Sequence, residues 1–305
     1  MMRTADFSKA DQVIRQAISD EAFTAANLLV GKGDRVLFRR AYGQLSIEDD
    51  APMTTEHTRY DLASLTKPLV IGMLALRAME AGKLCLWDQL GTFVDAPEDK
   101  QNITIGQILT HTAGFSSGLH LWETGKDPED TAELLLRAPL RYRPKPGNIA
   151  ATEMQDDGQC LSGQVHDENA RFLGGVSGNA GVFSTMDDLA LFMQMLARKG
   201  QLPDGSRYLS TAAVRLSMQN HTPDMPQGRG LGFYLPRLDN GFTGDLFPAQ
   251  TIGHTGFTGT SLTLEPESGL YIVFLTNRIC PSRDSTGIYR VRRLLHNAVY
   301  AAAGE

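Results

Sequence analysis

The order of patterns along the chain predicts an α+β protein, with an antiparallel sheet flanked by helices and an inserted, mostly helical lobe. Three observations carry this expectation. Strand-like apolar runs lie near both ends of the sequence, helix-period patterns fill the middle, and no internal repeat divides the chain. At 305 residues there is room for one large domain or for two lobes sharing a cleft. The expected division gives residues 1–60 and 226–305 to a sheet lobe and residues 61–225 to a helical lobe.

Residues 8–20 read as a first helix, with Val13, Ile14, Ala17 and Ile18 on one face and Ser8 as its N-cap. Asn27–Val30 and Arg35–Gly43 flank a Gly/Asp turn and read as a hairpin. Residues 44–60 are polar and irregular. An apolar helical run from Leu69 to Leu84 follows, with Pro68 near its start and Gly82 as its stop. Pro68 cannot donate to the carbonyl of Ser64, so the helix either begins near Ser64 or is distorted there. Thr104 and Gln107 form a capping-box pair for a short helix through Leu109.

Pro128–Leu136 is a further helix candidate, followed by a stiff Pro-rich stretch that ends at Pro146-Gly147. Residues 148–184 are mostly aperiodic and rich in Gly, a length of loop usually tied to function. Thr185 caps a helix with Leu189, Phe192, Met193 and Leu196 as its buried stripe. Strands are expected at Gly230–Leu235, Thr260–Leu264 and Leu270–Thr276, and a last helix at Ser285–Ala302.

Composition removes several function classes. A formal charge of −6 leaves no basic footprint for nucleic acid. No apolar run reaches membrane-spanning length, and Met1–Phe7 lacks an apolar signal-peptide core, so cytoplasmic residence without a membrane partner is expected. Cys85, Cys160 and Cys280 are widely spaced and odd in number, so ordinary free thiols are expected rather than a disulfide framework or metal pair.

Two stretches carry chemistry. In Tyr60-Asp61-Leu62-Ala63-Ser64-Leu65-Thr66-Lys67, Ser64 and Lys67 are three residues apart and share one helix face. A serine hydroxyl is a weak nucleophile until a neighbour takes its proton, and an amine can do so. In Gly253-His254-Thr255-Gly256-Phe257, small residues at a strand start allow close backbone approach. There the N–H of Phe257 can pair with that of Ser64 as an oxyanion hole, while His254, Thr255 and Gly256 orient a substrate. Taken singly, each stretch also fits an ordinary helix start or strand entry.

Together, Tyr60–Lys67, Leu109-Thr110-His111-Thr112-Ala113-Gly114-Phe115 and Gly253–Thr260 resemble the serine beta-lactamase and penicillin-binding-protein-like family. The likeness is greatest to its class C-type, esterase-like branch. Leu275-Thr276-Asn277-Arg278 resembles the family's late strand, and Ile149–Glu153, Val165–Ala170 and Gly181–Thr185 resemble a loop region of one subgroup. The resemblance covers nearly the whole chain. It implies a beta-lactamase/transpeptidase-like fold, Ser64 as nucleophile, Lys67 as base or relay, and no metal or organic cofactor. The implied substrates are small esters, D-amino-acid peptides or beta-lactams.

One departure stands out. The family's Tyr-x-Asn motif follows its Pro-Gly, but here Pro146-Gly147 runs straight into Asn148-Ile149-Ala150-Ala151. The helical lobe is thus read as shortened near residues 147–150, and Tyr142, before the Pro-Gly, is read as structural. An unshifted lysine costs ~4–5 kcal/mol to deprotonate at neutral pH, a rate loss of roughly a thousandfold or more. Glu153, His166 and Asp167 are the candidate substitute bases, and Asn179 stands where the subgroup carries His. Two functions fit: a serine hydrolase acting through an acyl-enzyme, or a member without turnover that binds a peptide-like or acyl ligand or a partner. The shortening would also expose apolar surface and favour self-association.

Overall fold

The computed structural model describes residues 5–115, 147–236 and 242–303. The Pro128–Leu136 helix candidate and Tyr142 lie outside the described residues. Strands from the two ends of the sequence meet in one antiparallel sheet. Its members are β1 (Ala25–Lys32), β2 (Arg35–Gly43), β5 (Ile252–Thr255), β6 (Ser261–Glu265) and β7 (Leu270–Thr276), in the order β2-β1-β7-β6-β5. β1 pairs with β7 from Ala26↔Thr276 to Lys32↔Leu270. A two-stranded ribbon joins β3 (Tyr60–Asp61) to β4 (Phe183–Ser184).

The period-2 alternation of a strand sends neighbouring side chains to opposite faces. Leu28, Val30, Ile272 and Phe274 pack on one side with Ile14 of α1 (Ser8–Ser19) and Leu295 and Val299 of the C-terminal helix α7 (Gly287–Ala303). Leu29, Tyr271, Val273 and Leu275 pack on the other side. There they meet Met186, Leu189, Met193 and Leu196 of α5 (Met186–Ala197), and Leu65 and Met73 from the Ser64 region. The nucleophile candidate is therefore anchored in the core between sheet and helices.

Local signals explain most elements. The Thr104 capping box forms in full and starts α3 (Ile105–Leu109). Thr185 accepts the Asp188 N–H and caps α5. At α1 the N-cap is Phe7 rather than Ser8, whose N–H instead donates to Asp6 Oδ1 at 2.9 Å. The strand expected at Gly230–Leu235 does not form. Gly232 has φ +79° and the Gly230 N–H donates to the Phe233 carbonyl at 3.0 Å, so the run turns back on itself. It keeps one bridge to β5, with Tyr234 and Gly253 exchanging N–H···O bonds of 2.7 and 3.0 Å. A helix not read from the sequence, α6 (Thr211–Met218), is capped by Ser210. A short helix, α4 (Glu168–Phe172), lies within the long Gly-rich loop. No helix among the described residues is long and apolar enough to cross a membrane.

Candidate active site

The Ser64 segment is not one regular helix. A 3₁₀ turn (Ala63–Leu65) leads into a π turn (Lys67–Gly72) and only then into α2 (Met73–Glu80). Pro68, which has no N–H, sits at the first positions of that turn, where an N–H would have no partner within it anyway. Ala63, just before the serine, has φ +45°, a left-handed conformation that costs a non-glycine residue about 1–2 kcal/mol. Buried Asp61 supports it: Oδ1 accepts the Ala63 N–H at 2.9 Å and Oδ2 accepts the His166 N–H at 2.7 Å. Burial raises the Asp61 carboxyl pKa, and the two N–H bonds pull it back down.

Within this frame Lys67 Nζ lies 2.8 Å from Ser64 Oγ and donates to the Asn179 carbonyl at 2.9 Å. Burial lowers the Lys67 pKa, while the Asp167 charge pulls it back up. Among the described residues, no Tyr, Glu, Asp or His side chain is hydrogen-bonded to Ser64 Oγ.

The β5 end closes against the serine turn. The Thr258 hydroxyl donates to the Asp61 carbonyl at 2.7 Å, and the Thr260 hydroxyl to the Leu62 carbonyl at 3.2 Å. Gly256 is required here, because an added Cβ would overlap Thr260 Oγ1 and come within 2.5 Å of the Leu62 carbonyl oxygen. The glycine thus lets two protein backbones approach each other. Phe257 follows, half exposed, with its carbonyl accepting from Arg278 Nε at 2.8 Å and its ring 4.5 Å from the guanidinium. Among the described residues, neither the Phe257 N–H nor the Ser64 N–H has a hydrogen-bond partner.

His254 is almost wholly buried. Its ring stacks on Tyr234 at 4.3 Å, and Nδ1 lies 2.9 Å from the Thr255 carbonyl, which can only accept. Nδ1 therefore carries the proton, and Nε2 is a bare acceptor without a partner among the described residues. Burial, then the Lys67 charge, lowers the His254 pKa to about 3, so the ring is neutral. In the His254-Thr255-Gly256 motif, Thr255 is the half-buried member.

The three candidate substitute bases are placed differently. Glu153 pairs with Arg283 at 2.6 Å and lies 2.9 Å from His166 Nε2, and neither is bonded to Ser64. The His166 ring instead stacks on Phe257 at 5.7 Å. Asp167 caps α4 and accepts from Asn179 Nδ2 at 3.0 Å, so it acts on Lys67 through charge and through Asn179. The sequence does not mark Asn179, Asp61, Thr258 and Thr260 as site residues, because each makes a contact distant in sequence. The chain after Gly147 docks beside the start of the serine segment, with the Arg59 N–H donating to the Asn148 carbonyl at 3.0 Å and the Ala150 N–H to the Arg59 carbonyl at 2.9 Å.

The Arg283 pair, then the His166 bond, lowers the Glu153 pKa to about 2, against an ordinary 4.5. A lowered carboxylate pKa stabilises the fold above the ordinary value, and that contribution is lost as pH falls through the folded one. Acid unfolding of Glu153→Gln followed by circular dichroism should show stability falling less than wild type between pH 4.5 and about 2.

The beta-lactamase family model matches residues 10–150 and 148–296. The chain belongs to the beta-lactamase family. It is a beta-lactamase-related hydrolase with the beta-lactamase/transpeptidase-like fold. An Escherichia coli K12 protein named "Putative D-alanyl-D-alanine carboxypeptidase" is 27% identical over 362 aligned positions, covering 89% of this chain and 82% of that one. Among solved structures that share the fold are two with close to full coverage of this chain. One is EstCE1, a hydrolase with promiscuous acyltransferase activity (TM-score 0.68, 20% identity, covering 96% of this chain and 98% of that one). The other is the octameric penicillin-binding protein homologue from Pyrococcus abyssi (TM-score 0.69, 14% identity, covering 98% and 78%).

Proposed function

We propose that this chain is a serine hydrolase that works through an acyl-enzyme on Ser64, with Lys67 as the group that takes the serine proton. The observation that carries this reading is the 2.8 Å Lys67–Ser64 contact, made by a lysine whose burial favours the neutral amine. Neutral Lys67 accepts the hydroxyl proton as Ser64 Oγ attacks an acyl carbon. The Ser64 and Phe257 N–H groups receive the oxyanion. Protonated Lys67 then returns its proton to the leaving group, and a water repeats the sequence to release the acid.

Substrates are drawn from small esters, D-amino-acid peptides and beta-lactams. The carboxypeptidase name of the Escherichia coli relative favours peptides, and the likeness to EstCE1 supports only the fold. The family-model match breaks into two segments that meet at residues 148–150, which supports loss of the Tyr-x-Asn segment there. Lys67 then works without a tyrosine, and turnover is slow. Mixing the protein with excess p-nitrophenyl acetate should give a burst near one equivalent of p-nitrophenolate, then slow turnover. Both phases should be absent in Ser64→Ala. A linear time course unchanged in Ser64→Ala would refute the acyl-enzyme.

A further inference from the structure

The sequence spacing gave the three cysteines no relation to one another, but the fold brings two of them together. Cys160 Sγ and Cys280 Sγ lie 3.7 Å apart across a separation of 120 residues. Cys280 is buried and Cys160 half-buried, while Cys85 is exposed and points its thiol at Asp88 instead.

The two backbones are already fastened to each other around the thiols. Cys160 lies on a small hairpin, in which the Thr152 N–H donates to the Leu161 carbonyl at 2.7 Å and the Leu161 N–H to the Glu153 carbonyl at 3.0 Å. From that hairpin the Met154 N–H donates to the Pro281 carbonyl at 2.8 Å, and Glu153 pairs with Arg283. A disulfide needs its sulfurs at about 2.05 Å, an approach that side-chain rotation can supply when the backbones are already docked.

We propose that Cys160 and Cys280 are a modification site, forming a reversible disulfide with a low-molecular-weight disulfide such as oxidised glutathione as the oxidant. The more accessible Cys160 reacts first. Its thiolate attacks one glutathione sulfur, a Cys160–glutathione bond forms, the glutathione S–S bond breaks and one glutathione thiolate leaves. Cys280 then loses its proton and attacks Cys160 Sγ, expelling the second glutathione thiolate, which is protonated. Two thiols are oxidised, and one glutathione disulfide is reduced to two glutathiones. Burial raises the Cys280 pKa to about 12, which keeps its thiolate scarce and makes the second, intramolecular step the slower one.

The link falls behind one wall of the candidate site. Arg278, two residues before Cys280, holds the Phe257 carbonyl, and His166, which touches the Cys160 hairpin through Glu153, stacks on the Phe257 ring. Oxidation joins the two segments that support Phe257.

The test is peptide mapping of the full chain under non-reducing conditions after incubation with oxidised glutathione. The expected result is a Cys160–Cys280 cross-linked peptide about 2 Da lighter than its two separate parts, released by dithiothreitol. It should persist in Cys85→Ser and disappear in Cys160→Ser. Cys280→Ala, which alters a buried position, is not needed for this comparison. Glutathione left on Cys160 without a cross-link, both thiols left free while Cys85 reacts, or a cross-link made through Cys85 would each overturn the proposal.

Discussion

Lys67→Met should lower kcat/KM for an activated ester by about a thousandfold, within the usual range for removing a general base, and leave the fold intact. Methionine keeps much of the side-chain volume, so the buried slot stays filled. The pH profile gives the sharper readout. The active amine is neutral, so wild-type activity should rise with pH, with a midpoint below the ordinary lysine value of 10.5 because burial lowers the Lys67 pKa. Lys67→Met should lose that rising limb. Lys67→Arg should be as inactive as Met, since guanidinium does not lose its proton in this range. Steady-state kinetics across pH checks all three, and a Lys67→Met enzyme with wild-type kcat/KM would remove Lys67 from the mechanism.

The second large effect is expected far from the reacting atoms in sequence. Gly256→Ala drives a methyl group into the Leu62 carbonyl, two residues before Ser64. The backbone cannot yield without moving the 3₁₀ turn away from Phe257, because Thr258 and Thr260 tie the two segments at 2.7 and 3.2 Å. Overpacking of this kind costs about 1–3 kcal/mol of stability. A displacement near 1 Å between Ser64 and the Phe257 N–H would cost about a hundredfold in rate. Urea denaturation and ester hydrolysis measured together check this, and wild-type values in both would contradict the close approach.

Legibility in the sequence followed the range of each interaction. Ser64 and Lys67 could be paired because a helical i,i+3 relation is local. The Thr104 box and the Thr185 cap were readable for the same reason. The motif alone does not mark Asp61, because one of its two bonds, from the His166 N–H, comes from 105 residues away. Asn179 reads in the sequence only as standing where the subgroup carries His, yet its carbonyl, 112 residues from Lys67, receives the lysine. Gly256 was read as clearance for a substrate, and the contact it permits is with Leu62. His254 was read as facing substrate, and the fold buries it against Tyr234, a pairing that depends on where the Gly230–Leu235 run turns back. Four of the five sheet strands are legible because each is bounded by its own turn residues, whereas β5 reads in the sequence only as the start of the strand that follows it. Gly230–Leu235 failed as a strand because Gly232 permits a reversal that its apolar neighbours conceal.

The central claim is that Ser64 is a nucleophile activated by Lys67. Intact mass spectrometry after incubation with a fluorophosphonate tests it most directly. The account predicts a single adduct on wild type, absent in Ser64→Ala and formed about a thousandfold more slowly in Lys67→Met. Well-folded wild-type protein that takes no adduct, or an adduct that survives Ser64→Ala, would contradict it.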